Sequence, residues 1–151
     1  MPSTARGTGP PHPLERFLTI LAVLACLAVT AVIWWSVSQY QSMWPLPALY
    51  LIEMPLVSIV SSLAVGRGSL SAGIVTWSAV GIIAGFSIVG AFSVGFFYGP
   101  VGLILAAVGL FHDLRHKGAL ALHLGIGLLA ALVQAAIMFG AIRLLYPAAM
   151  F

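Results

Sequence analysis

Charge is what this chain has least of. Of its 151 residues only 6% are charged, six basic and three acidic. A soluble domain of average make-up carries roughly 25%. With 62% hydrophobic residues and a mean hydropathy of +1.13, a globule this small has no means of hiding its apolar surface. An ordinary soluble fold is therefore excluded. Basic residues occur singly or in pairs, so no stripe exists that could follow a phosphate backbone, and nucleic acid is excluded as a partner. The single cysteine, Cys26, has no partner for an internal disulfide and says nothing about redox compartment.

Long apolar runs fill the space that charge leaves. A helix needs about 20 apolar residues to cross roughly 30 Å of hydrocarbon. The first run covers 17–37 and the second 46–65, separated by a polar, Pro-containing loop. Gly66-Arg67-Gly68 then breaks the chain. The stretch that follows, to Phe111, has no charge and is too long for one crossing. Gly90, Gly95, Gly99 and Pro100 mark a turn inside it, which divides it into 70–92 and 98–112 with a hairpin at 93–98. The second half is short for a full span, so a re-entrant segment is the alternative. A polar loop, 112–118, precedes the last run, 119–145. The expected fold is an all-α integral membrane bundle of about five transmembrane helices, or four plus a re-entrant segment.

Basic residues orient this bundle. With five crossings and a cytoplasmic N-terminus, Arg6, Arg16, Arg67, Arg115 and Lys117 lie inside and only Arg143 outside. Trp34, Trp35, Tyr40, Trp44, Phe96, Phe97, Tyr98 and Tyr146 then gather at the outer ends, where amphipathic rings favour headgroups. Residues 1–16, rich in Pro, Gly and Thr, are expected as a flexible cytoplasmic tail, and 147–151 as a short external one. Val23-Leu24-Ala25-Cys26 and Val29-Thr30-Ala31 faintly match processing sites. The apolar run continues beyond both, which favours an uncleaved first helix.

Glu53 is the most informative residue. Eight positions into the second run, it lies roughly 11 Å below the outer boundary at about 1.5 Å per residue. A carboxylate there is costly unless paired or protonated. It is either a protonated glue between helices, a proton or cation site, or nearer the headgroups than the run suggests. Pro55 beside it frees a backbone carbonyl. On the last run, His123, Gly127, Ala131 and Gln134 share an arc of roughly 80°. Gln134 matches the depth of Glu53, which predicts a Glu53–Gln134 contact, with Ser61 lower on the same side. His123 lies nearer the cytoplasmic end, as an interhelical donor or a relay. Gly81-Ile82-Ile83-Ala84-Gly85, with Gly127 and Ala131, supplies small residues for close helix packing.

Two apparent catalytic motifs are weaker. His112-Asp113-Leu114-Arg115-His116 has the histidine spacing of a zinc-protease helix, but a third ligand is missing and Asp is shorter than the usual Glu. A solvated cytoplasmic loop explains the segment more simply. Ala91-Phe92-Ser93-Val94-Gly95 grazes a nucleophile-turn pattern without a histidine at its depth. No catalytic, metal or cofactor residue is therefore assigned.

Gly90-x-Phe92-Ser93-Val94-Gly95, followed by Pro100 and an Ala/Leu run, resembles a hairpin in small uncharacterised multi-pass bacterial membrane proteins. It covers about a sixth of the chain. The resemblance implies a bacterial inner (plasma) membrane location and no activity. The expected function is a non-enzymatic membrane protein, an accessory or scaffold subunit. The alternatives are an oligomeric small-solute or proton-coupled transporter using Glu53, and a membrane-embedded metalloenzyme. Expected partners are the lipid bilayer and either further copies or a larger membrane complex.

Overall fold

The computed structural model describes residues 11–40, 45–68, 71–91, 93–116 and 119–145. These form five helices, α1 (Pro13–Ser38), α2 (Leu46–Gly66), α3 (Ala72–Val89), α4 (Gly99–His116) and α5 (Leu120–Leu145), with a short 3₁₀ turn at Gly95–Tyr98 leading into α4. No strand occurs among the described residues. All five helices, with Gly95–His116 counted as one, are long and apolar enough to cross a membrane.

Helix ends follow local chemistry. Pro13 opens α1, where a missing N–H costs nothing. The His12 imidazole accepts from the Leu14 amide at 3.2 Å, while Glu15 reaches back to the His12 amide at 2.9 Å. Residues 13–16, expected in the tail, are thus the first turn of α1; residues 1–10 and 146–151 lie outside the described residues. Gly68, at φ 61°, adopts the left-handed conformation that closes α2. Between α3 and α4 the chain turns on two glycines. Gly95 N–H donates to the Gly90 carbonyl at 2.9 Å, and a Cβ on Gly95 would lie 2.7 Å from Gly90 backbone atoms. Only glycine fits that approach.

The first four helices form a ring in which α1 touches α2 and α4, and α3 touches α2 and α4. α5 stands outside it, packed on α3. The two run parallel, since Gly73 meets His123, Gly81 meets Gly127 and Gly85 meets Ala131 in ascending order. A Cβ on Gly81 would collide with the Gly127 carbonyl oxygen, and one on Gly85 would lie 2.6 Å from that of Ala131. This is a small-residue seam, the arrangement that lets backbones approach where lipid gives no hydrophobic drive. Much of the rest of α5 is exposed and apolar; among its residues only His123, Gly127, Gln134 and Met138 are buried.

The interior of the ring is centred on Phe86. Its ring lies 5.7 Å from Tyr50 and 5.4 Å, edge-on, from Tyr98. Tyr98 corrects one expectation. It is fully buried inside the protein, so its ring packs against other side chains and not outward, and its hydroxyl bonds Thr30 at 2.8 Å. A buried tyrosine needs such a partner, and Thr30 on α1 supplies it. Phe96, Phe97, Trp34, Trp35 and Tyr40 are exposed. Trp44 and Tyr146 lie outside the described residues.

Candidate functional site

The chain has three carboxylates, Glu15, Glu53 and Asp113, and each sits on a helix facing another. They define three polar levels along the bundle.

At the first level α2 meets α5. Glu53 projects from α2 two residues before the buried Pro55, which has no N–H for the Leu51 carbonyl. Gln134 Nε2 donates to Glu53 Oε2 at 3.1 Å. The expected pair is in contact. Gln134 is buried, whereas Glu53 is half-buried. Ser61 and His123 do not join them. Ser61 lies two turns further along α2 and donates to Thr76 of α3 at 3.1 Å. His123 is eleven residues from Gln134, about 16 Å along α5.

His123 belongs to the second level, where three helices converge. Asp113 of α4 accepts from Trp77 Nε1 of α3 at 2.9 Å through one oxygen, and its other oxygen lies 2.7 Å from His123 Nδ1 of α5. The indole of Trp77 lies over Gly109, where a Cβ would sit 3.0 Å from its ring. Both carboxylate oxygens are engaged, and Asp113 is 3% exposed. The expectation of a solvated loop from His112 is therefore overturned. α4 continues to His116, and His112 and Asp113 are buried. The physical reason is that Trp77 and His123 replace water around the carboxylate. A buried charge is tolerated when its hydrogen bonds are met.

The third level closes the same end. Arg115 Nη1 lies 3.3 Å from Glu15 Oε2, which ties α4 to the start of α1. Thr19 donates to the Glu15 carbonyl at 2.9 Å. The His112 and His116 rings lie 4.5 Å apart. Among the described residues no three His, Cys, Asp or Glu side chains are grouped to hold a metal.

Ser93 is exposed and donates to the Gly90 carbonyl at 3.1 Å. It sits beyond the C-terminus of α3, at the opposite end from the histidines. The residues that sequence reasoning missed are Trp77, Thr76, Asp113 and Glu15. Trp77 left one signal: a lone indole inside a span carries a donor that needs an acceptor.

Among the described residues, cavities of about 410, 340, 270 and 290 Å³ lie between the helices. Their walls are apolar apart from Tyr50 and isolated serines, namely Ser36, Ser78, Ser87 and Ser93. None of the four is lined by Glu53, Gln134, Asp113 or His123. The arrangement suits helix-to-helix fastening. Comparison with protein-family models, curated proteins and solved structures found no match.

Proposed function

We propose that the chain is a non-enzymatic, multi-pass membrane protein that acts as an accessory or scaffold subunit of a larger membrane assembly. One observation carries this reading. The principal interior polar contacts join one helix to another: Glu53 to Gln134, Ser61 to Thr76, Asp113 to Trp77 and His123, Glu15 to Arg115, Tyr98 to Thr30. Side chains used in this way hold a shape. The broad apolar flank of α5 is then available to lipid or to a neighbouring subunit.

Orientation and location belong to the same proposal. Five crossings with the N-terminus in the cytoplasm keep five of the six basic residues inside. The Gly90–Gly95 hairpin and its resemblance to small bacterial membrane proteins favour a bacterial plasma membrane. The test is gentle extraction of a tagged chain from its own membrane, followed by native mass and identification of stoichiometric companions. A defined complex with other polypeptides is expected. A monodisperse chain with lipid alone would contradict it.

A second reading, proton- or solute-coupled transport by an oligomer through Glu53, has one observation in its favour. The buried Ser58 hydroxyl, between Glu53 and Ser61 on α2, has no hydrogen-bond partner among the described residues. Ser58 and the Ser61–Thr76 pair extend inward from Glu53. Proton flux into liposomes containing the purified chain, abolished by Glu53→Gln in a folded protein, would favour transport; no flux above empty liposomes favours the scaffold.

A further inference from the structure

Two of the three acids are enclosed, and each meets two donors. Glu15 takes the His12 amide and Arg115 on the same oxygen, Oε2, and its buried Oε1 has no hydrogen-bond partner among the described residues; Asp113 meets Trp77 with one oxygen and His123 with the other. Glu53 differs in both respects. It is only half-buried, and among the described residues a single donor, Gln134, reaches one of its two oxygens. A carboxylate has about four acceptor positions. At the depth that five crossings would give Glu53, no water supplies the rest.

What lies beside Glu53 gives that vacancy a shape. Leu56, Val57 and Val60 follow it at three, four and seven residues, hence on the same face of α2. With Ile74, Ser78 and Ile82 of α3 they line an apolar trough of about 290 Å³. Leu56, Val60 and Ile74 are each more than 40% exposed. The floor includes the small residues Ser78 and Ala79, which let another helix backbone come close.

We propose that this trough, with Glu53 one helical turn beyond its lining residue Leu56, receives one transmembrane helix of a partner polypeptide that carries a lysine or arginine at the depth of Glu53. The inference rests on the accessory-subunit reading and names its interface. Charge complementarity selects the occupant. A second copy brings no such cation from its described residues, because Arg16, Arg115 and Arg143 lie in terminal turns and Arg67 follows the end of α2. An acyl chain would fill the trough but leave the carboxylate unmet. A cationic side chain on a helix meets both requirements, since an opposite charge satisfies a carboxylate that lipid leaves bare.

The test uses the full purified chain in phosphatidylcholine liposomes, labelled with a fluorescence donor at Tyr40→Cys. The probe is an acceptor-labelled 22-residue Leu/Ala helix with lysine at its eighth position, compared with the same peptide bearing leucine there. The lysine peptide is expected to bind at least tenfold more tightly. Glu53→Gln, which keeps a hydrogen-bonding partner for Gln134, should erase that preference. Val57→Trp, which blocks the trough and leaves Glu53–Gln134 intact, should weaken both peptides, with thermal unfolding confirming that each variant is folded. Equal binding of the two peptides would overturn the proposal, as would a lysine preference that survives Glu53→Gln. Energy transfer between differently labelled copies that the peptide fails to displace would also overturn it, assigning the trough to a second copy. Because the assay needs no native partner, its failure alongside an isolated native complex moves the interface elsewhere, whereas absence of any complex defeats the accessory role itself.

Discussion

Asp113 illustrates what a single side chain does here. Its carboxylate joins α3, α4 and α5 through Trp77 and His123, with both oxygens occupied. Asp113→Ala strands two donors and should lower stability by about 1–3 kcal/mol, since a buried group left unsatisfied costs its desolvation. Ser61→Ala removes one neutral bond to Thr76 and should cost nearer 0.6 kcal/mol, typical of hydrogen bonds within membranes. Thermal unfolding of both variants in detergent checks the order; a smaller loss for Asp113→Ala would mean the carboxylate holds nothing together. The two polar pairings also differ in how visible they were beforehand. Glu53 and Gln134 stand alone in apolar runs, so depth along each helix sufficed to pair them. Asp113 sits among His112, Arg115 and His116, a composition that suggests solvent. Nothing local distinguishes a solvated aspartate from one enclosed by a tryptophan 36 residues away.

At the scale of the element, the α3–α5 seam decides how α5 is held. Gly81 faces the Gly127 carbonyl with no room for a methyl group, whereas Gly125, on the same helix as Gly127, has nothing within 4 Å of an added Cβ. Gly81→Val should therefore separate the helices and cost at least about 2 kcal/mol, in the range of overpacked interiors. Gly125→Ala should be neutral or stabilise by up to about 1 kcal/mol, since alanine favours helix without meeting a neighbour. Melting temperatures of the two variants give the comparison, and equal effects would show that the seam is not closed. This element was readable in advance, because Gly81, Gly85, Gly127 and Ala131 recur every four residues and small residues at that spacing have one principal use in lipid. The ends of α1 and α4 were not. Pro13 and His112 look like tail and loop until the cap at His12 and the bonds of Asp113 are seen in space.

For the molecule as a whole, hydropathy located five helices, but the way they are arranged came from contacts between distant residues. No pattern in the chain announces that α1 to α4 close a ring while α5 stands outside it. That arrangement leaves α5 fastened to α3 by glycines, to α2 by Gln134 and to α4 by His123. It also gives an odd number of helices of spanning length, so the ends of the chain should lie on opposite sides of the bilayer. Single cysteines placed at Tyr40, Gly66, Ser93 and His116, with Cys26→Ala, test this most directly. In intact cells an impermeant thiol reagent should label the first and third positions, and the second and fourth only after permeabilisation. Labelling of Ser93→Cys and His116→Cys from the same side would contradict five crossings, because Gly95–His116 would then enter and leave the membrane by one face.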